Sequence, residues 1–143
     1  MKPHRARIIA MQALFQYDFL LENKGLYEGN LLDYLNQFLW LDYTLADDEK
    51  TFVSAIVSGT IKQLKEIDEQ IIHFSENWEF SRIGRVAKAV LRISLFQMMD
   101  NSVLKIPKKV AIDEGIRLVK EYAEEDAKRF VNGILDGYYK SIQ

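Results

Sequence analysis

Histidine, cysteine and isolated carboxylate pairs carry most enzymatic chemistry, and this 143-residue chain offers little of it. His4 and His73 are the only histidines, and there is no cysteine, hence no disulfide, thiolate zinc site or thiol nucleophile. His73 falls near a helix end and reads as a surface or half-buried residue. Acids are plentiful, but no carboxylate pair stands alone in an apolar setting, as general acid–base work requires. No Gly-x-x-x-x-Gly-Lys loop and no Gly-x-Gly-x-x-Gly after a strand is present, so no cofactor is expected. The chain reads as a binding protein, not an enzyme.

The residues suited to binding lie at the two ends. Lys2, His4, Arg5 and Arg7 sit in the first turns of a helix that also carries Gln12 and Gln16. Arginine contacts phosphates and guanine edges, and glutamine can read bases unstacked in single-stranded RNA. Positive charge at a helix start opposes the macrodipole, which points to an external reason for it. Arg5 and Arg7 are expected to lie outside the apolar stripe, so that reversing both charges spares the fold. Near the other end, Lys128 and Arg129 precede Phe130, which could place an aromatic ring beside charge. On pattern alone Phe130 belongs to the core.

Charge is unevenly spread. The net charge is −2, which offers no general attraction for nucleic acid. Residues 1 to 17 hold Lys2, Arg5 and Arg7 and no acid, whereas residues 18 to 50 hold eight acids against Lys24 and Lys50. From Arg82 to Lys109 seven basic residues face only Asp100. Taken alone these clusters are solvated helix faces, and together they make a dipolar surface. Hydrophobic residues are 48% of the chain, enough for one domain with its own core. No run reaches the ~18 apolar residues of a membrane span. Gln12, Gln16 and Asp18 break any signal-peptide core, and a cytoplasmic home fits.

Helical periodicity must position these groups, since no segment sustains period-two alternation. The class is all-α, with about five long helices. The first runs from His4 to about Leu21, with Ile8, Met11, Leu14, Phe15 and Phe19 as its stripe. Asn30 can cap a short helix over Leu31–Trp40. Asp47 or Asp48 caps a long helix to about His73, with Phe52, Ile56, Gly59 or Thr60, Gln63 or Leu64, Ile67 and Ile71 inward. Glu76 to Phe80 forms an aromatic-rich connector, Ser81 can cap the next helix to about Met99, and Asp100-Asn101-Ser102 ends it. Val103-Leu104-Lys105-Ile106 is the one strand-like run. The last third, Ile106 to Tyr139, gives the clearest signal. Pro107 suits a helix entry, and Ile112, Ile116, Val119 and Ala123 recur at helical spacing. Ala123-Glu124-Glu125-Asp126 is a turn into a final helix that buries Ala127, Phe130, Val131, Ile134 and Tyr138. Gly133 and Gly137 in that helix each cost about 1 kcal/mol against alanine, which implies close approach by a neighbour.

Lys109-Val110-Ala111-Ile112-Asp113-Glu114, followed by Glu125-Asp126 and Lys128-Arg129-Phe130-Val131-Asn132-Gly133-Ile134-Leu135-Asp136, closely resembles the NusB family of bacterial transcription antitermination factors. Lys88-Ala89-Val90-Leu91-Arg92-Ile93 fits the same family, as do Arg5-Ala6-Arg7 and Gln12-Ala13-Leu14-Phe15. The resemblance covers nearly the whole chain, although Leu21 to Leu45 carries no matching motif. It implies a NusB-like helical bundle of two packed subdomains, about 1–80 and 81–143. It also implies binding of the single-stranded boxA element of nascent transcripts, notably ribosomal RNA leaders, as part of the RNA polymerase antitermination complex. The implied partner is NusE, also a protein of the small ribosomal subunit.

By this resemblance the RNA side includes His4, Arg5 and Arg7, with later contacts around Asp126, Arg129 and Phe130; Lys2, Gln12, Gln16 and Lys128 join it by their own chemistry. The partner side includes Phe80, Arg82, Arg85, Lys88 and Asp126. Pro3 and His4 stand where family members often extend the arginine cluster. Ala87 occupies a position that can be acidic, and Gly115 replaces a typical alanine, which should weaken its helix. Some family members self-associate through the RNA-holding surface, which leaves a homodimer open. Two other readings are the RNA-binding domain of a ribosomal RNA cytosine methyltransferase and a helical adaptor that binds only protein. The first needs a nucleotide-cofactor domain and a catalytic cysteine that this chain lacks, so it would have to be a fragment. A start at Met1 and an end just past the last helix argue against one. RNA binding separates the second from the NusB-type reading.

Overall fold

The computed structural model describes residues 2–38, 44–76, 78–99 and 104–143. Among these, all regular structure is helical. The helices are α1 (Pro3–Glu22), α2 (Leu31–Phe38), α3 (Asp47–Lys62), α4 (Leu64–Phe74), α5 (Arg85–Met98), α6 (Lys108–Tyr122) and α7 (Glu125–Ser141). Short 3-10 turns at Lys24–Leu26 and Phe80–Arg82 connect α1 to α2 and α4 to α5.

Local chemistry accounts for most boundaries. Asn30 caps α2, its Oδ1 accepting from the Asp33 N–H at 3.2 Å. Leu39 and Trp40, expected to extend α2, lie outside the described residues. At α3 the N-cap is Ala46 rather than an aspartate, and the Glu49 carboxylate reaches back to the Ala46 N–H at 3.2 Å. Asp47 and Asp48 occupy the first turn, where their charge favours the helix dipole. Pro107 stands directly before α6, and Ala123 and Glu124 are extended ahead of the acidic first turn of α7. Ser81 does not cap α5. It sits inside the 3-10 turn, and Gly84 takes the N-cap. The strand-like run is not a strand where it is described: Leu104 lies in a turn, and Lys105 has φ 51°. Val103 and the expected terminator 100–102 lie outside the described residues.

The long helix expected to about His73 is two helices. Gln63 leaves helical geometry at φ −102° and ψ 17°, and its N–H bonds back to Gly59 at 3.1 Å. The break lets α3 pack on α1 and α5 while α4 packs on α5 and α7. The inward face of the pair is Val53, Ile56, Val57, Thr60, Ile67 and Ile71, with Phe52 only partly buried.

The hub is α5, not the last third of the chain. Every residue from Ala87 to Met98 is buried, and α5 touches α1, α3, α4, α6 and α7. One core cluster runs through all six of these helices. A smaller cluster of Leu20, Leu31 and Leu35, edged by Tyr17, Tyr27 and Tyr34, holds α2 to the end of α1. The inward stripe of α6 is Ala111, Gly115, Leu118 and Val119, with Ile112 and Ile116 at its margin. Gly115 does more than weaken its helix, because a Cβ there would lie 2.5 Å from Ser94 Oγ on α5. In α7, Val131, Ile134, Leu135 and Tyr138 are buried, while Ala127 and Phe130 are only partly so. A Cβ at Gly137 would meet Phe74 at 2.9 Å, the close approach that its cost implies. Gly133 departs from that expectation, since nothing lies within 4 Å of where its Cβ would stand.

Candidate nucleic-acid and partner interface

The N-terminal basic residues diverge in fate. Lys2 is exposed. Arg5 is half-buried and donates to the Thr44 carbonyl at 2.8 Å. Arg7, expected outside the apolar stripe, is 4% exposed. Its Nε donates to Gln97 Oε1 at 2.8 Å, and its guanidinium carbon lies 5.4 Å from the Phe52 ring centre. Burial pulls its pKa down, and nearby Glu114 partly offsets this. The expectation that reversing both Arg5 and Arg7 spares the fold is therefore corrected: Arg7 is a core group. His4 turns to α6, with Nδ1 2.8 Å from Glu114 and Nε2 3.2 Å from Glu121. The hydrogen bond from His4 holds the Glu121 carboxyl below its usual range.

The expected partner-facing residues also divide. Lys88 is 6% exposed, so the reading of it as a surface contact is corrected. Its ammonium lies 3.5 Å from Asp18, with which Arg92 at 3.3 Å and Arg85 at 3.3 Å also pair. Arg92 further forms a two-pronged bond to Asp68 at 3.0 and 2.9 Å. Arg85 also pairs with Glu22 and lies over Phe19. Phe80 does not project outward as a free anchor. Its ring covers both buried cations, 4.9 Å from Lys88 Nζ and 5.6 Å from the Arg92 guanidinium carbon. Arg82 stays on the surface, 3.6 Å from Glu79. Nothing in the local sequence singles out Asp18, the acid that gathers this seam.

The open surface lies elsewhere, in one continuous groove. Its first section, ≈420 Å³, is lined by Met11, Gln12, Phe15, Gln16, Val86 and Tyr122. Phe15, Val86 and Tyr122 lead into a second section of ≈570 Å³ that reaches Arg82, Asp126, Trp78 and Phe130. Trp78 and Phe130 lead into a third of ≈720 Å³ with Lys128, Arg129 and Asp126. Gln12, Gln16, Lys128, Arg129 and Phe130 are thus brought onto one surface. Lys2, His4, Arg5 and Arg7 do not line these sections. Phe15 and Tyr122 are 38% and 45% exposed, and Trp78 is 58% exposed. The Trp78 and Phe130 rings lie 5.1 Å apart, tilted by 54°. By spacing Phe15 reads as core, and Trp78 reads only as part of an aromatic connector. Large rings left in the open are what mark this surface.

His73 is exposed and stands edge-on to Phe74 at 4.6 Å. Among the described residues no group of three or more His, Cys, Asp or Glu side chains could hold a metal, and no helix is long and apolar enough to cross a membrane.

The NusB family model matches residues 4–140. The transcription antitermination protein NusB of Leptospira biflexa is 35% identical over 137 residues, covering 96% of this chain and 91% of that protein. That of Treponema pallidum is 34% identical over 139 residues, covering 96% and 92%. The crystal structure of T. maritima NusB superposes with a TM-score of 0.81 at 31% identity, covering 98% of this chain and 92% of that one. A complex of the antitermination factors NusB and NusE with double-stranded RNA shares the fold at a TM-score of 0.77 and 24% identity, covering 99% of each chain. With the family model matching residues 4–140 and relatives about one-third identical over nearly their whole length, the chain belongs to the NusB family of non-enzymatic transcription antitermination factors.

Proposed function

We propose that the protein binds boxA-type single-stranded RNA of nascent ribosomal RNA transcripts together with NusE, in the cytoplasm and as part of an RNA polymerase antitermination complex. The observation that carries this reading is the groove from Gln12 and Phe15 to Lys128 and Arg129. It offers the Gln16 amide for base edges, rings for stacking and cations for phosphates along one path. The solved complex of a NusB with NusE and double-stranded RNA supports the choice of NusE and RNA as partners.

Lone binding is expected to be weak. Lys128 and Arg129 sit beside Glu124, Glu125 and Asp126, and the net charge of −2 adds no attraction. Arg7, Lys88 and Arg92 are spent on internal partners. A basic partner on the same RNA adds phosphate contacts and links two weak sites. The test is a titration with a boxA-like RNA and a scrambled control, with and without NusE, at two salt concentrations. Weak, salt-sensitive binding that NusE strengthens is the expected result. Equal affinity for both RNAs overturns the boxA reading, and tight binding unimproved by NusE overturns the shared-site reading.

A further inference from the structure

We propose that Trp78, Phe130 and Gly133 form a pocket for one unpaired nucleobase of the bound RNA, with Arg129 at its edge for the adjoining phosphate. The inference rests on the RNA-binding reading and adds to it a specific subsite. Two independent observations carry it. The first is the ring pair: an indole more than half exposed, held 5.1 Å from a half-buried phenyl ring and tilted from it by 54°. The tilt opens a wedge, and the indole, 58% exposed, offers ring surface on which a base can stack. Phe130 is itself fixed by the core beneath it, so one wall of the wedge is rigid.

The second observation is Gly133. A glycine inside a helix is unfavourable, and close packing usually explains one that is kept. Here that explanation fails, because nothing lies within 4 Å of where its Cβ would stand. The glycine instead floors a cavity of ≈280 Å³ whose other walls include Trp78, Phe130, Arg129 and Glu76. A side chain at 133 would project into that space. The bare position leaves that space open to an occupant. A flat, π-faced group with a negative charge attached fits two rings, a bare floor and an arginine. A nucleotide in single-stranded RNA has that chemistry, whereas a base held in a duplex cannot present its face.

The experiment uses the full chain with NusE and a single-stranded boxA-like RNA, plus a series of the same RNA carrying one abasic site at successive positions. Gly133→Leu fills the floor, Trp78→Ala removes the platform, and Lys128→Ala reports general phosphate attraction. A Trp40→Phe background leaves Trp78 as the sole indole for fluorescence. We expect Gly133→Leu and Trp78→Ala each to weaken RNA binding roughly tenfold with melting temperature preserved. One abasic position should cost the parent about as much yet cost those variants little further. Trp78 fluorescence should be quenched by the intact RNA and not by that abasic RNA. Parental affinity in both variants, or quenching at no position, overturns the pocket while leaving RNA binding through Lys128 intact. Loss of NusE binding with RNA affinity unchanged also overturns it, since the occupant is then a protein side chain. A parent that binds no RNA overturns the pocket and the RNA reading together.

Discussion

Two regions hold similar cations and treat them in opposite ways. Along the seams that α1 and α5 make with each other and with α3 and α4, Arg7, Lys88 and Arg92 are each at most 6% exposed. At the start of α7, Lys128 and Arg129 are open to solvent beside the exposed Trp78 and the half-buried Phe130. What separates them is the partner that the fold delivers. A buried charge needs a compensating group, and each seam cation has one: Gln97 for Arg7, Asp18 for Lys88, and Asp18 with Asp68 for Arg92. Phe52 and Phe80 then close over them. Among the described residues no acid or amide of a neighbouring helix claims Lys128 or Arg129, and their charge stays available. A basic residue near a motif is thus a ligand contact only where the protein itself leaves it unclaimed.

The largest expected effect comes from placing the wrong charge in the seam. Arg7→Glu buries a carboxylate against the Gln97 oxygen and near Glu114, and about 4 kcal/mol of stability should be lost. Arg5→Glu, at a half-exposed position, should change stability by no more than about 0.5 kcal/mol. Urea unfolding of the two variants side by side decides it. Equal midpoints would erase the distinction between the two regions at this end.

Next is Asp18→Asn, which leaves Lys88 with no carboxylate and Arg92 with Asp68 alone. A loss of about 3 kcal/mol is expected. Adding Lys88→Met restores charge balance in a slot already lined by Phe80, and should recover more than half of that loss. A double variant no better than Asp18→Asn alone would mean that Asp18 acts through packing and not through charge.

Much of this architecture is legible in the chain itself. Pro107, the extended Ala123–Glu124 step before the acidic first turn of α7 and the Asn30 cap act within a few residues, so their boundaries follow from local chemistry. The break at Gln63 does not, because Gln63 is an acceptable helix residue and no glycine or proline stands directly beside it to mark a stop. The fate of Arg7 depends on Gln97, ninety positions away in the chain, and that of Lys88 on Asp18, seventy away. Phe15 obeys the helical spacing of a core residue yet faces the groove, since α1 is already covered by Ala10, Ala13 and Leu14 on its buried side. Trp78 lies in a connector with no period to read.

Glycines in α7 sharpen the contrast at a smaller scale. Gly137 is on the closed side, and Gly137→Leu should drive its side chain into Phe74 and cost about 2 kcal/mol. Gly133 is on the open side, and Gly133→Ala should raise stability by up to ~1 kcal/mol through helix propensity alone. Thermal melts that lower both, or raise both, would show that the two sides of α7 are not distinct.

The smallest effect is expected at Lys128. It is exposed, and α7 loses no packing when its side chain is cut to a methyl group. Alanine is also a good helix former, so Lys128→Ala should unfold at the parental midpoint within about 0.5 kcal/mol. What should change is the salt dependence of RNA binding. A cation that neutralises one phosphate of a single strand releases one condensed counterion and contributes about 0.7 to the slope of log affinity against log salt. Removing it should lower that slope by ~0.7, with a loss of affinity that shrinks as salt rises. The seam cations supply the control, because Lys88 is paired internally and reaches no phosphate. Lys88→Met in the Asp18→Asn background should leave the slope unchanged, despite removing the same formal charge. If Lys128→Ala keeps the parental slope while the seam variant lowers it, then the two regions have been assigned the wrong way round.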